Sequence, residues 1–346
     1  MSDGGAIPIS VLDLAVVGEG SSPAEALANS IDLARTAERL GYHRHWVAEH
    51  HNMPGIASSA PAVLVATLAA ATETLRIGSG GVMLPNHAPL VVAEQFGMLE
   101  ALHPGRIDLG IGRAPGTDGV TAAALRRSPD PLSDEDFPRS LAELMGFFTG
   151  GFPEGHPYSR ITAVPGKGDE PEIWLLGSSG YSAQLAGMLG LPFSFAHHFM
   201  PRNTLPALEL YRSSFRPSEV LSEPCAMVAV AAIVAEDDER ARWLSGPARL
   251  SMARLRAGMP TRFPTPEEAA EHVFSAVEEA SISSLSGSAI IGGPEKAREG
   301  FEKLLADTKA DELMVTTMVH DHADRIRSYE LVAELFELAP AVASSG

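Results

Sequence analysis

The heptad Trp46-Val47-Ala48-Glu49-His50-His51-Asn52 runs from apolar, strand-forming residues directly into a carboxylate, two imidazoles and an amide. Side chains leaving the C-terminal end of a barrel strand line an active-site mouth. Histidine exchanges protons near neutral pH, so the segment suits general acid–base chemistry. The competing chemistry is a metal site, because His43 and His45 lie just upstream. Extended chain would put His45 roughly 16 Å from His50, too far to share an ion. His50 and His51 also project to opposite sides of an extended chain. No metal site is expected. A hydrogen-bonded histidine closing a strand remains the plainer reading of His50 taken alone.

Three further segments could bind a ligand. Ser79-Gly80-Gly81 sits inside an apolar strand, where paired glycines mark a bulge, a tight bend or the close approach of a planar ligand. Leu176-Gly177-Ser178-Ser179-Gly180-Tyr181 joins a strand to a helix. Its small residues and free amides suit a phosphate at the helix N-terminus, unless Ser178 or Ser179 simply caps the helix. Arg113 ends the strand Arg106–Arg113, where its guanidinium could clamp the same phosphate or make a rim salt bridge. Neither a Walker loop nor a dinucleotide fingerprint is present.

The elements that must carry these groups alternate along the chain. Strands are predicted at Ile9–Val17, His45–Glu49, Arg76–Met83, Arg106–Arg113, Ile173–Gly177, Phe193–His198, Ala226–Ala235 and Glu312–Val319. Helical stretches follow them. The first is marked by Ser22 and Pro23 at its start and Gly41 at its end. Pro115–Pro138 reads as a long loop, and Ala289–Leu305 as an added strand–helix piece. Eight strand–helix pairs in order predict a (β/α)8 TIM barrel, residues 1–346 forming one domain, with insertions after strands 4 and 7.

Composition narrows the partners. The chain has 346 residues, 45% apolar and 20% charged, enough for a large core. Lys and Arg total 26 against 44 Asp and Glu, a formal charge of -18 that disfavours nucleic acid. Cys225, the single cysteine, lies in an apolar run and reads as a buried structural thiol. The first residues lack the pattern of a signal peptide, and the apolar runs are too short to span a bilayer. A soluble cytoplasmic protein is expected.

With these motifs in place, the chain resembles the bacterial luciferase-like monooxygenases, flavin-dependent barrel enzymes. The resemblance is carried by Trp46–Pro54, Thr72–Pro85, His103–Arg113, Leu176–Tyr181, Phe195–Phe199 and Asp311–Val315. It implies reduced FMN as cofactor and O2 as co-substrate. By motif position, His50 would be the catalytic histidine, oriented by Glu49 or His51. Gly80-Gly81 would match a non-proline cis peptide beneath the flavin ring, with Ser79 beside it. Arg113 and the loop Gly177, Ser178, Ser179, Gly180 and Tyr181 would hold the flavin phosphate. His197 joins the catalytic set, one of His197 and His198 facing substrate and the other being structural. Glu49-His50-His51 favours FMN over the deazaflavin used by a related branch. The implied substrate is a lipophilic small molecule, such as an aromatic polyketide or another secondary metabolite. The implied protein partners are a separate NAD(P)H flavin reductase and a second copy of the chain. A deazaflavin-dependent oxidoreductase and a non-catalytic flavin binder are the alternatives.

Overall fold

The computed structural model describes residues 7–126, 136–283 and 289–340. The expectation for the N-terminal residues 1–5 and part of that for Pro115–Pro138 lie outside them. Nine strands are present: β1 Ile9–Asp13, β2 Arg44–Val47, β3 Arg76–Met83, β4 Ile107–Gly112, β5 Glu172–Gly177, β6 Phe193–Ala196, β7 Ala226–Val234, β8 Ile290–Gly292 and β9 Glu312–Thr316. From β1 to β7 each strand pairs in parallel with the next. Then β9 fits between β7 and β1 and closes the ring. The short β8 pairs only with the far end of β7. The fold is therefore a closed eight-stranded parallel barrel, as the alternation predicts.

Helices α1 Pro23–Leu40, α2 Pro61–Ala70 and α3 Pro89–Leu102 follow the first three strands. After β4 come α4 Gly119–Arg126 and α5 Asp136–Thr149, then α6 Gly180–Leu189 and α7 Thr204–Ser214 after β5 and β6. The region after β7 holds α8 Asp238–Arg256, α9 Pro266–Glu271 and α10 Ala276–Ser283. Finally α11 Pro294–Thr308 precedes β9, and α12 His322–Leu335 follows it. Helix α1 begins where its sequence signals place it: Ser22 and Glu25 form a reciprocal capping box, and Gly41 ends it in the left-handed conformation. Its buried stripe Ala26, Leu33, Ala34 and Ala37 has helical spacing and faces the barrel wall.

Two expectations about local structure change. The stretch read as one long loop contains α4, because Asp118 accepts hydrogen bonds from the Val120 and Thr121 amides and starts a helix. The first strand stops at Asp13 instead of Val17. Val16 and Val17 instead pair with Ile56, Gly55 and Phe263 in the loops above the barrel.

The barrel interior is layered. At the bottom, Arg44 binds Asp108 at 2.8 Å and Glu312 at 2.9 Å, and Arg76 joins Asp108 as well. Trp46 donates its indole N–H to Asp108 at 2.8 Å, which satisfies a second buried group of that cluster. Above it, Leu12, Trp46, Trp174, Met227 and Met314 fill the middle, the two indoles meeting edge to face at 5.5 Å. Higher still, Leu14 and Leu176 pack on this cluster but remain partly exposed. The ion-pair cluster and the indole layer thus plug the barrel from below.

Candidate active site

The strand end that carries His50 is bent inward by its own loop. Ala48 and His50 bond through their amides to Asp13 and Ser58 carbonyls, and the His51 amide bonds to Gly116 at 3.2 Å. His50 Nδ1 lies 3.4 Å from the same Gly116 carbonyl. A carbonyl can only accept, so Nδ1 carries the proton and Nε2 keeps its lone pair. Burial lowers the pKa of His50, partly offset by the Gly116 bond and the nearby Glu49 charge. The imidazole is therefore neutral at pH 7 and able to take up a proton at Nε2.

Of the two residues expected to orient His50, Glu49 makes no direct bond to it. Its carboxylate is fully buried and binds His51 Nε2 at 2.9 Å, His87 Nε2 at 2.9 Å and the Met83 amide at 2.9 Å. Neighbouring strand residues face opposite ways, so adjacency in sequence misled the pairing.

The Gly80-Gly81 peptide is cis, in agreement with the resemblance. The register of β3 against β4 shifts between Gly80 and Val82, which is the bulge foreseen from the paired glycines. A Cβ on Gly81 would fall 2.6 Å from the Gly110 carbonyl oxygen, and one on Gly80 would fall 2.9 Å from Leu12. Backbone therefore forms a side-chain-free shelf at the mouth. Ser79 is not part of it: its buried hydroxyl donates to Gly110 at 2.9 Å.

Across the mouth, the Arg113 guanidinium lies 4.3 Å over the Tyr181 ring, so the two proposed anion groups meet. Ser179 is the N-cap residue of α6, but its side chain makes no capping bond. Simple serine capping therefore does not account for this loop. The first α6 amides have no intrahelical acceptor and sit at the positive end of the helix dipole. Gly177 is required by packing, since a Cβ there would fall 2.7 Å from Ser182 Cβ.

The paired histidines after β6 separate in role. His197 Nδ1 is bonded to the Thr204 hydroxyl at 2.8 Å. His198 Nδ1 donates to the Ala229 carbonyl at 3.0 Å, which leaves its Nε2 as an acceptor. Burial, with smaller contributions from His197 and His50, pushes the His198 pKa down to about 4. His198, not His197, shares the electrostatic environment of His50. Sequence reasoning offered no means of choosing between adjacent histidines at a strand end.

Burial, with the nearby Asp311 and Glu312 charges, pushes the Cys225 thiol up to about 12, so it is no nucleophile. His45 is fully buried near Asp13, away from His50, and His43 is exposed below the barrel. Among the described residues, no group of three or more His, Cys, Asp or Glu is placed to hold a metal ion. Nor is any described helix long and apolar enough to cross a membrane.

The sequence profile of the luciferase-like monooxygenases matches residues 7–312. The chain belongs to the luciferase-like monooxygenase family. A luciferase-like monooxygenase of Escherichia coli (strain K12) is 48% identical over 331 residues, covering 96% of this chain and 97% of that protein. The N-acetyl-S-alkylcysteine monooxygenase of Bacillus subtilis (strain 168) is 34% identical, with 95% and 98% covered. Among solved structures, apo-MsnO8 superposes with a TM-score of 0.86 at 39% identity, covering 97% of this chain and 100% of that one. At the level of fold alone, the barrel recurs in the oxygenating constituent of 3,6-diketocamphane monooxygenase from Pseudomonas putida, solved with FMN. The TM-score there is 0.70 at 19% identity, with 99% and 100% covered. It recurs also in an F420-dependent secondary alcohol dehydrogenase, with a TM-score of 0.68 at 15% identity and 96% and 99% covered. The family thus supports an oxidoreductase of monooxygenase type.

Proposed function

We propose that this protein is a monooxygenase that uses reduced FMN and O2 to oxygenate a lipophilic small molecule. The observation that carries the reading is Arg113 stacked on Tyr181 beside the first turn of α6, on the same rim as His50 and the Gly80-Gly81 shelf. A phosphate fits a guanidinium beside the positive end of a helix dipole. A flat ring system fits a stretch of backbone that carries no side chains.

Arg113 and the residues Ser178 to Tyr181 would hold the phosphate, and Gly80-Gly81 would support the ring. Bound there, the reduced flavin supplies the electrons that activate O2. The protein's own residues do the rest. Leu14 and Leu176 give the mouth an apolar floor that keeps water from the reacting groups. His50, neutral and with Nε2 unprotonated, takes and returns one proton. His198 presents a second neutral acceptor at the end of β6, across the barrel from the strand that carries His50.

The apolar floor supports a lipophilic substrate, and the Bacillus relative named for N-acetyl-S-alkylcysteine makes thioethers the first class to test. Aromatic secondary metabolites such as polyketides are the second. No nicotinamide fingerprint accompanies the site, which supports a separate NAD(P)H flavin reductase in the cytoplasm as the source of reduced flavin. We propose further that the single barrel domain works as a homodimer. Val91, Met98 and Leu102 form one exposed stripe on α3, with Val63 of α2 exposed beside it, and a second copy would cover them.

The experiment compares reduced FMN with reduced deazaflavin, in binding and in turnover over a panel of thioethers and aromatic compounds. Tighter FMN binding with an oxygenated product supports the reading. Turnover confined to deazaflavin, or FMN binding that releases only hydrogen peroxide on every compound, would replace it.

A further inference from the structure

One buried carboxylate ties together the loops that surround the mouth. Glu49 Oε1 receives His51, His87 and Asn86, and Oε2 receives the Met83 amide. The donors come from the loop after β2, the end of β3 and the turn that follows it. The β4 loop is joined as well, because Asn86 also donates to the Pro115 carbonyl at 2.9 Å. Burial opposes the charge on Glu49, yet the bonds from His87, His51 and Met83 keep its pKa below the usual carboxylate value. It is an anion whose surroundings are all donors.

The covalent chain makes this clip matter. Met83 is two residues past Gly81, and His50 is the residue after Glu49. Beyond the β2–β3 ladder, which pairs Val47 with Ser79, the shelf is joined to the His50 segment by one further hydrogen bond, Met83 N–H to Glu49 Oε2 at 2.9 Å. The Gly116 carbonyl fixes the other side of His50. The His87 side chain is 30% exposed, against 14% for His51, and so joins buried Glu49 to the surface.

We propose that Glu49, seated by His87, is the positioning residue of this active site and sets the separation between the Gly80-Gly81 shelf and the His50 imidazole. The proposal rests on the flavin reading given above. Neither residue touches the bound molecules; both act through the backbone they hold. A displacement of about 1 Å between reacting groups can cost on the order of 10²-fold in rate. The loss belongs in kcat, since the phosphate and substrate contacts lie elsewhere.

The test uses the intact protein with His87→Ala and Glu49→Gln, and three readouts. The first is FMN affinity, the second kcat and KM with reduced FMN, and the third the His50 tautomer and titration followed by nitrogen NMR. Expected are a fall in kcat of about 10²-fold at little-changed KM and FMN affinity. Added imidazole should restore kcat in His87→Ala, whose cavity opens to solvent, and not in Glu49→Gln. Because the Glu49 charge raises the pKa of His50, Glu49→Gln should lower it further. Unchanged kcat and unchanged His50 titration in both variants would overturn the proposal. So would a loss of kcat matched by an equal loss of FMN binding without imidazole rescue, which a purely structural role predicts. If wild type itself does not turn over, the flavin monooxygenase reading fails, and the His50 titration still decides the positioning claim.

Discussion

Replacing Arg113 with alanine should weaken FMN binding without weakening riboflavin binding. The guanidinium carbon lies 4.3 Å from the centre of the Tyr181 ring, so much of the Arg113 side-chain entropy is already lost in the unliganded protein. A hydrogen bond between charged partners contributes about 1.5–3 kcal/mol net. At about 1.4 kcal/mol per factor of ten, FMN should bind roughly 10- to 150-fold more weakly to Arg113→Ala. Riboflavin lacks the phosphate, so its affinity should stay nearly constant. The four affinities, measured by flavin fluorescence or equilibrium dialysis, form a double-perturbation cycle whose coupling energy isolates the arginine–phosphate contact. Equal losses for both flavins would mean that Arg113 supports the fold of the rim. No loss for FMN would place the phosphate elsewhere.

Other perturbations test the scaffold. Arg44→Met should destabilise the barrel by about 3–5 kcal/mol in urea or thermal unfolding, because Glu312 would stay buried without its cation and Asp108 would keep only Arg76. His198 has its pKa lowered by burial to about 4, so between that value and about 6.5 only the unfolded state binds the proton. Stability should therefore fall as pH drops through this window, by at most about 1.4 kcal/mol per pH unit from this group, and His198→Gln should reduce the slope. If the protein dimerises as proposed, Leu102→Glu should leave a monomer in sedimentation experiments at unchanged flavin affinity; a monomeric wild type would refute the dimer, and a dimer that persists in the variant would move the interface off α3.

The order of the barrel strands was readable because each is a short apolar run bounded by turn residues and followed by a helix. The strand ends were not. Val16 and Val17 are as β-prone as the residues before them, and their partners, Ile56, Gly55 and Phe263, lie in distant loops. The site shows the same division. Gly80-Gly81, Arg113 and the start of α6 announce themselves by residue type, since a bulge, a cation and a helix N-terminus are local features. The partners of Glu49 are set by tertiary contact: His87 stands 38 positions away, and no spacing rule links the two. The Ser79 hydroxyl and His197 Nδ1 likewise bond to Gly110 and Thr204, contacts that no local pattern signals.

The central claim is that this rim binds reduced FMN and turns O2 into product oxygen under the control of His50. Single turnover of the reduced-FMN protein with isotopically labelled O2, wild type against His50→Ala, tests it most directly, with mass spectrometry of the organic product. The account predicts one labelled oxygen atom per product in wild type, and in His50→Ala a shift from labelled product to free hydrogen peroxide. Product oxygen drawn from water, or the same yield of labelled product in both proteins, would contradict it.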